Sequence, residues 1–286
     1  MKLGTVVVTG ANGQVGQRLL SVLQGHCEKS IALVRHPTPL LATEVIPDWM
    51  NSATAQEAIA QADAVVHLAG NLKPERGDYI GANIKTTEAV VSALNKDRVK
   101  RVIFLSYVGA SAQSSNAYLS TKAKAERILQ TSGVPLTIFR CTHIIGSPDQ
   151  PGATAANLLS QQGKPVAMLG SGNQQVAPIY LDDVVSAILA ALHQEHDGIF
   201  DLAGSERLSM DDLVTLLNRN NSIKKSHLPP MIARLLPWVV RDLPAALVDV
   251  MLAESVGDPQ RVIEAFSLKL TPLSQVWGTE RQPVLA

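Results

Sequence analysis

"TVVVTGANGQVGQRLL" runs from Thr5 to Leu20. Its valine run suits a strand ending at Thr9, and the amphipathic run after it suits a helix beginning near Gly13. Between them Gly10, Gly13 and Gly16 are spaced G-x-x-G-x-x-G, where the usual dinucleotide fingerprint is G-x-G-x-x-G. The first N–H groups of such a helix have no intrahelical acceptor and lie at the positive end of its dipole. Glycines let a pyrophosphate approach that backbone closely. Gly10, Asn12, Gly13, Gln14, Val15 and Gly16 are therefore expected to cradle a nucleotide.

Working outward, strand-like and helix-like segments alternate as far as about Arg140: "SIALVR", "DAVVHLAG", "RVIFLS" and "PLTIFR" are separated by helical stretches such as "TTEAVVSALNK" and "NAYLSTKAKAERILQ". Short apolar strands between amphipathic helices predict an α/β fold, a doubly wound parallel-sheet Rossmann unit. Ligands of such sheets bind beyond the carboxyl ends of the strands, here just after Val8, Val34, Leu68, Leu105 and Phe139. From about Gly146 the rhythm becomes rich in turns. The expected plan is a nucleotide-binding core over residues 1–146, completed by about 177–197. Residues 147–176 and 198–286 are expected to form a smaller, mainly helical cap over the substrate.

Composition narrows the function. Of 286 residues 46% are hydrophobic, and 25 Lys+Arg balance 25 Asp+Glu, so a large core is expected and the basic field that attracts nucleic acid is missing. Cys27 and Cys141 form no metal-ligand spacing, no metal site is expected, and a reducing cytoplasm suits them. The apolar run at the start is too short for a signal peptide. The most membrane-like stretch, Leu228 to Leu252, is broken by Arg234, Arg241, Asp242, Asp249 and four prolines, which excludes a spanning helix. A peripheral contact with a membrane or protein partner stays open there, although a helical layer over an apolar pocket is preferred. Nothing requires an oligomer.

The loop "TGANGQVG" is similar to the T-G-x-x-G-x-x-G loop of the extended and atypical short-chain dehydrogenase/reductase families. "DAVVHLAG", "GANIKTTEAVVSAL", "VKRVIFLS", "YLSTKAKAERIL", "FRCTHIIG" and "VAPIYLDDVVSAI" extend the similarity along most of the chain. The "HLAG" exit and the short gap before Tyr118 most resemble the atypical branch that includes the nucleotide-binding accessory subunit of respiratory complex I.

The resemblance implies a nicotinamide cofactor. Arg35 and His36 stand after the second strand, where NAD-selective sites carry a carboxylate, so NADP is expected over NAD. Asp48 matches the residue that binds the adenine amine, with Trp49 beside it; a helix cap is the competing role, which Asn51 or Ser52 could serve equally well. Leu68, Ala69 and Gly70 would line the adenosine side. Tyr118 and Lys122, four apart on one helix face, match the acid/base and the lysine that binds the nicotinamide ribose and tunes the phenol. Asn83 matches a supporting asparagine; Thr142 and His143 would lie near the carboxamide. At the usual Ser/Thr position stands Tyr107, with Ser106 one place early and expected to touch only the cofactor. His193 and His196 read as a solvated helix end.

The expected activity is that of an NADP-dependent oxidoreductase acting on a small carbonyl, quinone or related substrate. The alternatives are a non-catalytic NADP-binding sensor or assembly protein, which Tyr107 favours, and an NAD-dependent epimerase/dehydratase. Arg35 and the short segment before Tyr118 weigh against the latter and against a nucleotide-sugar substrate.

Overall fold

The computed structural model describes residues 2–160, 164–219, 223–240 and 243–278. Seven parallel strands form the main sheet: β1 (Leu3–Thr9), β2 (Cys27–Leu33), β3 (Glu44–Ile46), β4 (Ala64–His67), β5 (Arg101–Tyr107), β6 (Leu136–Cys141) and β7 (Gly198–Leu202). Their order across the sheet is β7-β6-β5-β4-β1-β2-β3. Chain direction across the sheet reverses between β1 and β4, which opens a crevice where two successive crossovers part to opposite faces. The register Thr9↔His67 sets the two strand ends level at that point.

Both faces of the sheet are covered, which is why its strands read as continuous apolar runs. Helix α1 (Gln14–Leu23) buries Leu19, Leu20 and Leu23 against Val6, Val8 and Ile103, together with helix α5 (Leu181–His193). On the other face α2 (Ala53–Ala60), α3 (Thr86–Ala93) and α4 (Ala117–Gln130) cover Val7, Val65, Val102 and Phe104. A π-helical turn, Ile80–Lys85, leads into α3 and carries the buried Asn83.

One boundary moves. The sequence reading placed residues 198–202 in the cap, yet β7 pairs with β6 through Phe200↔Phe139. The helix Gln260–Phe266 packs on the same side, with the Phe266 ring 5.4 Å from that of Phe139. β7 follows α5 after four residues, so its helix-to-strand order is regular; what no local pattern marks is that the strand returns to the edge of the main sheet beside β6. The rest of the C-terminal region has its own small core around Met168, Met210, Leu213 and Trp277. It contains short strand pairs as well as helices, among them Val166–Leu169 with Lys225–Leu228. Among the described residues no helix is long and apolar enough to cross a membrane; Arg241 and Asp242 lie outside them.

Candidate active site

The three glycines of the first loop have three different physical reasons. Gly10 has φ +63°, and a Cβ there would stand 2.7 Å from the backbone of Leu68 and Ala69, so the β1 and β4 exits touch. At Gly16 a Cβ would meet Ala11 and the Gly10 carbonyl at 2.7 Å, which lets α1 sit down on the loop. Gly13 caps α1, and a Cβ there would find only the Gly10 oxygen at 3.2 Å. Its open side faces the crevice, beside the unpaired first amides of α1.

That crevice, about 220 Å³, is lined by Gly10, Gly13, Gln14, Val15 and Gly16 from the loop and by Leu68 and Gly70 after β4. Ser106 after β5, Thr142 after β6, and Tyr118 and Lys122 on α4 complete the expected part of its wall. Tyr107, which stands at the usual Ser/Thr position, and Cys141 also line it, as do Leu105 and Ile144, whose aliphatic side chains carry no polar signal. Four buried side-chain atoms among the described residues make no hydrogen bond: Gln14 Nε2, Ser106 Oγ, Asn83 Oδ1 and His143 Nε2. Two belong to the crevice wall, and Asn83 Oδ1 stands with Lys122 Nζ over Gly70. Buried polar atoms without partners call for a ligand, and this set of amides, hydroxyl and ammonium suits a dinucleotide.

Asn116 caps α4, accepting from the amides of Tyr118 and Leu119, and so sets the first turn that carries Tyr118. Lys122 Nζ donates to the Leu105 carbonyl at 2.6 Å and lies 4.5 Å from the Phe104 ring centre. Burial pulls this ammonium down to about 8. Burial pushes the Tyr118 phenol far above its usual range, with the neighbouring Tyr107 and Cys141 adding to the shift. The lysine expected to tune that phenol downward is thus directed at a backbone carbonyl, and burial keeps the Tyr118 phenol neutral near pH 7. The Cys141 thiol is pushed up to about 12 by burial and is inert.

The remaining expected residues stand outside this wall. Asn12 is exposed, and its carbonyl accepts from Gln17 Nε2. Arg35 and His36 are exposed at the exit of β2. Asp48, also exposed, sits at φ +44° and accepts from Asn51 Nδ2. Ser52, whose hydroxyl accepts from the Ala55 amide, caps α2, so the capping role weighed for Asp48 falls to Ser52. Trp49 is a correction: it is 3% exposed and packed with Ile46, Ile59 and Leu33, so its ring is a core element with no free face for adenine. Ala69 donates its amide to Thr9 Oγ1. His143 is buried behind the wall, its Nδ1 3.3 Å from the Tyr107 hydroxyl.

His67, not singled out as a site residue, organises the crevice floor. Thr87 Oγ1 donates to the Asn83 carbonyl, so it accepts from His67 Nε2 (3.0 Å), and His67 Nδ1 then accepts from Thr9 Oγ1 at 2.7 Å. This network assigns the neutral Nε2–H tautomer. Burial, with the Lys122 charge behind it, pushes His67 down to about 3. Its signal was the polar residue in an otherwise apolar strand.

A second cavity, about 570 Å³, adjoins the crevice through Tyr107, which lines both. Val108, Gly109, Ser115, Asn116 and Leu119 form its sheet side; Arg234, Asp249, Val250, Leu252, Ala253 and Glu254 form its other wall. The Tyr107 hydroxyl is held by Ser255 Oγ (3.0 Å) as well as His143, so it is engaged rather than offered to a substrate. Arg234, Asp249, Val250 and Leu252 lie in the Leu228–Leu252 stretch expected to cover a pocket, whereas no local pattern marked Ser255.

The family model described as NAD dependent epimerase/dehydratase family matches residues 6–203. The N-acetyl-alpha-D-glucosaminyl-diphospho-ditrans,octacis-undecaprenol 4-epimerase of Escherichia coli O157:H7 is 27% identical over 252 residues, 78% of this chain and 75% of that one. The NADH-ubiquinone oxidoreductase 40 kDa subunit of Neurospora crassa is 22% identical over 241 residues, covering 78% of this chain and 62% of its own length. Among solved structures, UDP-glucuronic acid 4-epimerase from Bacillus cereus, in complex with UDP-glucuronic acid and NAD, superposes with a TM-score of 0.75 at 20% identity over 96% of both chains. At that identity the likeness establishes the fold.

Proposed function

The chain belongs to the NAD dependent epimerase/dehydratase family, and on that premise we propose that it moves hydride between a nicotinamide dinucleotide and a hydroxyl-bearing or carbonyl carbon of a small molecule. The observation that supports this most is the placement of Tyr118 and Lys122, buried and one turn apart, in the crevice wall opposite the open amides of α1. Gly10, Gly13, Gln14, Val15 and Gly16 would hold the pyrophosphate, with Asn12 at the loop's outer edge. Leu68, Ala69 and Gly70 would flank the adenosine, and Asp48 would stand at the adenine. Lys122 and Asn83 would meet the nicotinamide ribose, and Ser106 and Thr142 the nicotinamide end, with His143 behind them. When bound, the dinucleotide supplies or accepts the hydride. Tyr118 exchanges the proton of the substrate oxygen, and Lys122 places a positive charge beside the ribose.

The family match and the two named epimerases favour a reaction in which the hydride is removed and returned, as in an epimerase or dehydratase. A second reading, net reduction with NADPH, is favoured by Arg35, whose exposed side chain makes no hydrogen bond or ion pair among the described residues. Substituting Tyr118→Phe should lower turnover about a thousandfold, the scale of a lost acid/base, with nucleotide affinity, followed by nicotinamide fluorescence, unchanged. Unchanged turnover would sink the assignment of Tyr118 as the acid/base. The same titration separates the cofactors: NADPH should bind more tightly than NADH, and Arg35→Asp should weaken NADPH by roughly ten- to thirtyfold through loss of a charge-assisted pair. Equal affinities would sink the phosphate assignment.

A further inference from the structure

The larger cavity, about 570 Å³, has room for a substrate next to the crevice, and its charge is unlike that of a phosphate site. Among the described residues its lining holds one cation, Arg234, and two carboxylates, Asp249 and Glu254. Arg234 Nε donates to Asp249 Oδ1 at 3.1 Å, so one edge of the guanidinium is engaged, and with Glu254 the described lining carries an excess of negative charge. A diphosphate is recognised by free guanidinium forks, ammonium groups or clustered amides. Here it would face repulsion and compete with Asp249 for Arg234.

The other walls are aromatic or aliphatic, from Tyr107, Val108, Leu119 and Val250. The apolar character continues onto the surface. Arg234 and Leu235 keep right-handed helical dihedrals between two short helices, Pro230–Ala233 and Leu236–Val239. Met231 and Trp238 therefore stand three residues before and four after Arg234, on the same side. They are 81% and 86% exposed, and Leu235 beside them 61%. Scattered exposed apolar residues are ordinary, but a contiguous group at the lip of a cavity marks a binding surface.

Resting on the hydride-transfer reading, we infer that the substrate is an uncharged molecule with an apolar tail. Its reacting carbon faces Tyr118, its tail passes over the Met231–Trp238 lip, and Asp249 and Glu254 reject nucleoside diphosphates. In this the cavity departs from the nucleotide-sugar ligand carried by the similar solved structure.

The test uses two probes that share one sugar. Full-length protein is titrated with octyl β-D-glucoside, below its micelle-forming concentration, and with UDP-glucose, each with NADPH present. Binding is read from tryptophan fluorescence, since Trp238 is exposed while Trp49 and Trp277 are buried, and by calorimetry. The alkyl glucoside should saturate at a concentration about tenfold or more below that of UDP-glucose, from tail burial and charge rejection together. Trp238→Phe should remove most of the fluorescence change. Asp249→Asn combined with Glu254→Gln should tighten UDP-glucose by roughly three- to tenfold. UDP-glucose binding as tightly as the alkyl glucoside, or no saturable binding of the alkyl glucoside, overturns the inference. Nicotinamide fluorescence in the same samples keeps the two readings apart: selectivity for the tail in a protein that binds neither nucleotide would overturn hydride transfer and leave the cavity's preference standing.

Discussion

At Gly10 an added Cβ would lie 2.7 Å from the amide nitrogen of Ala69; at Gly109, in the neighbouring cavity, it would meet nothing within 4 Å, although both residues have φ near +70°. The contrast holds across the two regions. The crevice is defined largely by backbone, with strand ends in contact and a helix seated on its loop; at Gly70 two buried side chains close it, where a Cβ would strike Lys122 Nζ at 2.8 Å and Asn83 Oδ1 at 2.9 Å. The cavity beyond Tyr107 is defined by side chains, several on short exposed helices. A site made of backbone is fixed once the sheet forms, whereas one made of side chains can change its ligand by substitution alone.

The largest expected effect exploits this difference directly. Gly10→Ala should cost about 4 kcal/mol, from left-handed dihedrals and forced repacking against backbone that cannot yield. Gly109→Ala should cost about 1 kcal/mol, because only the dihedral is unfavourable. Urea denaturation of both variants measures the gap. Similar losses would show that the crevice backbone is more compliant than its contacts suggest.

Acid should next unbalance the two regions. His67 and His143 are held down to about 3 and about 4 by burial on the sheet side, below the ordinary value of about 6.5 that they regain on unfolding. Folded-state values that are depressed mean that the unfolded chain takes up protons first. Stability is therefore complete above about pH 6.5 and falls as pH drops toward 4. Each histidine contributes about 1.4 kcal/mol of loss by pH 5.5, about 3 kcal/mol together. Denaturation free energies between pH 7 and 5 should show this slope, and His67→Gln should remove about half of it while lowering stability throughout. Half the slope would mean that one imidazole is protonated in the fold, and a flat profile that both are.

How much of this was legible in the sequence follows the same division. The glycine loop, the strand exits and the Tyr118/Lys122 pair are local patterns, and the structure brings most of them to one crevice. Trp49 misled because its neighbour Asp48 shares the strand exit, yet an indole beside three aliphatic side chains gains more from burial than from a half-exposed face. The residues of β7 read as a strand, but its pairing with β6 at the edge of the main sheet is a tertiary contact with no local pattern. The pairing of Arg234 with Asp249 lies fifteen residues apart across two helices, and the contact of Tyr107 with Ser255 spans 148 residues. Such contacts belong to tertiary structure and have no periodicity to read.

The smallest expected effect falls at the junction between the regions. The Tyr107 hydroxyl ties the β5 exit to His143 and to Ser255, whose backbone is bonded on both sides to Gln175 and Ala177. Burial pushes this phenol up to about 12, against the opposing hydrogen bond from Ser255, so it is a neutral tether at working pH. Tyr107→Phe keeps the ring that separates crevice from cavity and removes only the tether. The loss should be about 1 kcal/mol of stability, the net worth of a buried hydrogen bond with its partners left behind. If the tether positions the cavity wall, KM should rise several-fold while kcat changes little, since Tyr118 still supplies the proton. If Tyr107 instead holds the substrate oxygen, as the serine or threonine expected at its position would, kcat should fall by a hundredfold or so, the effect of removing a donor to the reacting oxygen. The split between kcat and KM thus decides whether Tyr107 belongs to the fixed crevice or to the adaptable cavity.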